Sequence, residues 1–66
     1  MALYPVKRAV VVATKTGRTF RGVLWARRWG YVVLRRVELL EPKAPPVAVD
    51  GEVVIERSNV DFIQVV

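Results

Sequence analysis

The chain has 66 residues, 53% of them hydrophobic, and a formal net charge of +5 at pH 7. This length predicts a single domain over residues 1–66. Cysteine and histidine are absent, which excludes disulfides, the usual zinc ligands, a histidine base and a cysteine nucleophile. No apolar run is long enough to span a bilayer and the first residues lack a signal-peptide pattern, so the sequence predicts a cytoplasmic protein.

Charge is distributed unevenly along the chain. Nine of the 11 basic residues lie within residues 1–37, which contain no acidic residue, and all 6 acidic residues lie within 38–66. Such asymmetry predicts RNA or another polyanion, an acidic protein partner, or charge-complementary self-assembly. A solvated basic face without a ligand is the alternative. Most of the basic residues are arginine, which pairs with phosphate and carboxylate groups better than lysine does.

Two strands are predicted in the first half of the chain. The valine-rich segment Arg8–Thr14 is typical of a β-strand, and Thr16-Gly17 predicts a turn after it. A second strand is predicted from Arg18 to Arg28, with Gly22 inside it. A glycine within a strand marks a sharp bend or a close backbone approach.

Three further strands are predicted. Trp29-Gly30 predicts a turn, and Tyr31–Leu40 a third strand. Prolines concentrated between residues 41 and 50 predict a loop without regular pairing. Two short apolar strands, Glu52–Glu56 and Val60–Val65, follow on either side of a tight polar turn.

The order and spacing of two segments resemble the Sm-like family, which includes the Sm and LSm proteins and Hfq. These segments are Arg8–Leu24 (RAVVVATKTGRTFRGVL) and Val53–Ile63 (VVIERSNVDFI). The resemblance implies an all-β fold, a five-stranded, strongly bent small barrel with at most a short N-terminal helical turn near Pro5. It also implies a homo-oligomeric ring, in which the last two strands pair between neighbouring subunits.

A cluster of cations and aromatic rings surrounds the predicted turn between the second and third strands. Arg27, Arg28, Trp29 and Tyr31 form the pattern in which bases stack on aromatic faces while arginine neutralises phosphates. Aromatic residues of this kind are also common at subunit interfaces. The sequence leaves both interpretations of Trp29 and Tyr31 open.

The resemblance adds Arg57 and Asn59, from the second segment, to the candidate nucleic-acid-binding residues. Sm-like proteins also carry an aspartate and an asparagine near the turn between strands two and three, and this chain has neither there. Weak sequence specificity is therefore expected. Asn59 also fits a purely structural role as a cap of its turn.

These observations predict a non-catalytic, ring-forming protein that binds nucleic acid, with RNA as the expected partner. The carboxylates are scattered and the single serine, Ser58, has no base beside it in sequence, so neither a metal site nor a cofactor is expected. The alternative is a structural ring or adaptor in a larger protein assembly, such as a virus particle or a ribonucleoprotein.

Overall fold

Within residues 6–66, six strands make up one sheet. The computed structural model describes residues 6–66; the helical turn predicted near Pro5 lies outside these residues. The elements in chain order are β1 (Arg8–Thr14), β2 (Thr19–Arg28), β3 (Tyr31–Leu40), β4 (Val47–Val49), β5 (Val53–Glu56), a short 3-10 helix (Arg57–Asn59) and β6 (Val60–Val65). The prediction of an all-β fold is confirmed.

All strand pairs are antiparallel, in the order β4-β3-β2-β1-β6. Strand β3 divides its outer edge between two partners. Its first half, Tyr31–Leu34, pairs with β5, and its second half, Val37–Leu39, pairs with β4. One strand can serve two separate partners on one edge because it bends between them.

The bend in β3 is centred on Arg36. The β2–β3 register shifts there, since Arg21 opposes Glu38 but Val23 opposes Arg35, leaving an extra residue in β3. Arg36 has a φ of +54°, a left-handed conformation typical of a β-bulge. Gly22 lies on the facing strand, where a Cβ atom would be only 2.8 Å from the carbonyl oxygen of Arg35. The close backbone approach predicted at Gly22 is therefore confirmed.

The core is small and aliphatic. Partly buried residues from β2, β4, β5 and β6 surround it: Phe20, Val49, Val53, Val60 and Ile63. The buried residues come from β1, β2, β3 and β5: Val10, Val12, Leu24, Val32, Leu34, Val37 and Ile55. Every strand thus contributes to one apolar centre, as a curled sheet requires.

The prediction of an unpaired loop between residues 41 and 50 is wrong in part. Strand β4 lies inside this segment and pairs with Val37–Leu39. Its residues, Val47–Val49, follow the last proline and so keep every N–H needed for pairing. The other boundaries shift by one residue at most, because β2 begins at Thr19 and β5 begins at Val53.

Candidate nucleic-acid interface

The β2–β3 connection is a two-residue hairpin turn with an exposed tryptophan at its tip. Arg28 pairs with Tyr31, and the intervening Trp29 and Gly30 have φ values of +47° and +85°. Two positive φ angles define a type I′ turn, in which asparagine or glycine is usual at the first position. A bulky side chain there costs about 1–2 kcal/mol. Trp29 is nevertheless 97% exposed, so its ring does not cover the end of the barrel.

The 3-10 helix brings a second segment of the chain to this turn. The backbone N–H of Arg57 donates to the carbonyl oxygen of Gly30 at 2.7 Å. At the other end of the helix, the N–H of Lys15 donates to the carbonyl oxygen of Asn59 at 2.8 Å. The turns before and after β2 therefore both form backbone hydrogen bonds with the 3-10 helix, Arg57–Asn59.

A cavity of about 250 Å³, here called the turn cavity, lies at the tip of this hairpin. It brings together five of the six residues predicted as nucleic-acid-binding, and its lining contains no carboxylate. The lining residues are Arg27, Arg28, Trp29, Gly30, Tyr31 and Arg57. Three arginines and two aromatic residues line this cavity, a composition suited to an anion attached to a flat ring.

Asn59, the sixth predicted residue, lies apart from the turn cavity. It lines a second space of about 330 Å³, here called the hairpin cavity, which the turn cavity borders through Tyr31. The other lining residues come from β5 and from the β1–β2 hairpin: Thr14, Thr16, Arg18, Phe20, Val53, Val54, Ile55 and Glu56. The Asn59 amide nitrogen donates to Thr16 Oγ1 at 3.3 Å, so its side chain contacts a different turn from its own.

Sequence reasoning missed Thr16, Arg18 and Glu56 as candidates. Thr16 and Asn59 are 43 positions apart in the chain, and only the curled sheet brings them together. The one sequence signal was Arg18 itself, a basic residue beside a turn glycine, and that pattern is common on protein surfaces.

Several other cations of the basic half are engaged within the fold. Arg21 pairs with Glu38 across β2 and β3. Arg35 Nε donates to Glu52 Oε2 at 2.6 Å, and its guanidinium lies 4.2 Å from the centroid of the Trp25 ring. Lys7 Nζ also lies 4.0 Å from that centroid. These contacts hold neighbouring segments of the barrel together. The basic residues within 1–37 therefore do not form one uniform ligand-binding surface.

Residues 6–66 contain neither a cluster of metal ligands nor a helix that could cross a membrane. No three acidic side chains in this range lie close enough together to hold a metal ion. None of its helical segments has the length and apolarity needed to span a bilayer.

The bent antiparallel sheet, the glycine at its bend and the 3-10 helix before the last strand define the Sm-like small β-barrel fold, as the sequence motifs predicted. The crystal structure of a heptameric archaeal Sm protein is similar to this chain, with a TM-score of 0.80 and 22% sequence identity. The similarity covers 92% of this chain and 88% of that protein.

A chain from the crystal structure of the NatC complex bound to CoA is also similar. Its TM-score is 0.79 at 20% identity, over 98% of this chain and 88% of that chain. No protein-family model matches the sequence, and no curated protein is significantly similar to it. The similarity of this chain to known proteins is therefore a similarity of fold.

Proposed function

We propose that this protein is a non-catalytic, ring-forming subunit that binds single-stranded nucleic acid at the turn cavity. The observation that carries the proposal is the convergence of Arg27, Arg28 and Arg57 with Trp29 and Tyr31 in a cavity without carboxylates. Arginine neutralises the phosphates while the exposed rings stack on bases. The resemblance to Sm proteins supports RNA as the natural ligand. The exposed rings of the cavity favour single strands, because only unpaired bases can stack on them.

The proposed ring rests on two edge strands. Within residues 6–66, β5 pairs only with β3 and β6 pairs only with β1, so each has an edge available for another chain. Both expose an apolar side chain, since Val54 is 57% and Phe62 is 54% exposed. Pairing β5 of one subunit with β6 of the next covers both edges. The heptameric state of the similar archaeal Sm protein supports this arrangement.

A salt titration of binding to a single-stranded RNA tests the role of the arginines. The double variant Arg27→Ala with Arg28→Ala is expected to bind more weakly and to show a shallower dependence of log affinity on log salt concentration. Each lost phosphate contact removes about 0.7 from that slope for a single strand. The matched control is Arg8→Ala with Lys15→Ala, which removes the same charge at two exposed positions outside the turn cavity. Equal losses in both double variants would show only general charge attraction.

Replacing Trp29 separates stacking from charge. Trp29→Ala is expected to weaken RNA binding by about 1–3 kcal/mol, because a stacked base loses its partner, while the salt slope stays unchanged. Trp29→Phe keeps a ring and is expected to recover part of the affinity. If Trp29→Ala binds RNA fully but dissociates the oligomer, Trp29 belongs to a subunit interface and the structural function described next is favoured.

A second candidate function is that of an adaptor in a larger protein assembly. The similarity to a chain of the multi-subunit NatC complex favours it. In this case the arginines of the turn cavity contact an acidic protein surface, and the purified ring shows no RNA binding that a salt titration can follow.

A further inference from the structure

The face of the sheet opposite the core continues from the turn cavity along β3. Residues two positions apart in a strand share a face. Val32 and Leu34 of β3 are buried in the core. Tyr31, Val33 and Arg35 alternate with them and therefore lie on the opposite face. This outer face leads from the turn cavity, which Tyr31 lines, to Arg35, a distance of about 13 Å along the strand.

A cavity of about 200 Å³, here called the outer cavity, lies on this face. It shares one wall with the turn cavity, since Arg28 lines both and lies opposite Tyr31 in the β2–β3 pair. The lining residues are Trp25, Ala26, Arg28, Val33, Arg35 and Glu52. A ligand in the turn cavity can therefore extend past Arg28 into the outer cavity.

The outer cavity stays accessible in the proposed ring. Pairing of β5 with β6 of the next subunit extends the sheet sideways, in its own plane, and covers the edge of β5. None of the four β5 residues, Val53–Glu56, lines the outer cavity. The cavity instead lies on the face of the sheet formed by β2 and β3, so a ligand can enter it in the ring as well as in the single subunit.

Two contacts hold Arg35 at the end of this path. Its Nε atom donates to Glu52 Oε2 at 2.6 Å, and its guanidinium lies 4.2 Å from the centroid of the Trp25 ring. A guanidinium has five N–H donors, and the hydrogen bond to Glu52 uses one of them. The Arg35 side chain is also 46% exposed. The contacts therefore orient the guanidinium without enclosing it, and a phosphate can reach it from solvent.

We infer that the outer cavity is a second nucleic-acid subsite, which binds the continuation of the single strand held in the turn cavity. This inference rests on the proposed function and extends its binding site. Arg28 and Arg35 pair with phosphates, while Ala26 and Val33 form an apolar floor for the sugars and bases. Glu52, the one carboxylate in the lining, competes with phosphate for Arg35 and so limits the affinity of the subsite.

The two tryptophans allow the occupancy of the two cavities to be measured separately. Trp29→Phe leaves Trp25 of the outer cavity as the only tryptophan, and Trp25→Phe leaves Trp29 of the turn cavity. A single-stranded RNA of about 16 nucleotides is long enough to occupy both cavities. Titration with this RNA is expected to change the tryptophan fluorescence of both variants.

Glu52→Gln tests the competition for Arg35. The variant is expected to bind the same RNA several-fold more tightly, because the phosphate no longer competes with a carboxylate. One additional phosphate contact also steepens the salt dependence of binding by about 0.7 in slope. The matched control is Glu41→Gln, which removes one exposed carboxylate outside both cavities and should leave affinity and slope nearly unchanged.

The possible results separate this inference from the proposed function. If RNA changes the fluorescence of Trp29 but not that of Trp25, the strand ends at the turn cavity, and the outer subsite is wrong while the proposed function stands. Equal affinities of Glu52→Gln and Glu41→Gln also overturn the outer subsite. Absence of RNA binding by the wild-type protein overturns both.

Discussion

Gly22→Ala is expected to lower the free energy of unfolding by about 1–3 kcal/mol, and Gly22→Val by more. The added Cβ would lie 2.8 Å from the carbonyl oxygen of Arg35 and 3.3 Å from the Cα of Val37. Both atoms belong to the backbone, so no side-chain rotation relieves the contact, and β2 and β3 must move apart at the bend. Thermal and urea denaturation of the two variants measures the effect.

Gly17→Ala provides the comparison for this prediction. Gly17 has a φ of +96° and a Cβ atom added there would have no neighbour within 4 Å, so its substitution introduces backbone strain without a clash. A loss of about 1 kcal/mol is expected there. If Gly22→Ala instead melts at the wild-type temperature, the close approach of β2 and β3 does not constrain the fold.

If the protein forms the proposed ring, Val54→Lys is expected to convert it to monomers that remain folded. Val54 is 57% exposed on β5, so lysine costs the isolated subunit little. In the proposed ring, however, β6 of the neighbouring subunit would cover the same position, where an unpaired ammonium group is strongly unfavourable. Sedimentation velocity and native mass spectrometry measure the assembly, and circular dichroism verifies that the subunit is folded.

Val47→Lys is the matched control for the assembly prediction. Val47 is 51% exposed on β4, a strand that is also at an edge but takes no part in the proposed pairing. Its variant should keep the wild-type mass. Ile63 of β6 is unsuitable for the same test because it packs against the core. A wild-type protein that sediments as a monomer at micromolar concentration would contradict the ring.

Local sequence signals are sufficient to predict the three longest strands. Valine-rich segments and turn glycines placed β1, β2 and β3 to within one residue, because β-propensity and turn chemistry act over a few neighbouring positions. Strand β4 was missed because three residues carry no readable alternation. Its pairing depends on the bend at Arg36, which presents the second half of β3 to it.

Part of the candidate site could likewise be predicted from the sequence, and part could not. Arg27, Arg28, Trp29 and Tyr31 are nearly contiguous, so their composition alone predicted a cluster at a turn, and the motif added Arg57. The hairpin cavity, in contrast, could not be predicted from the sequence. Its polar groups, Thr16, Glu56 and Asn59, come from segments about 40 residues apart, and only the curvature of the sheet and the 3-10 helix bring them together.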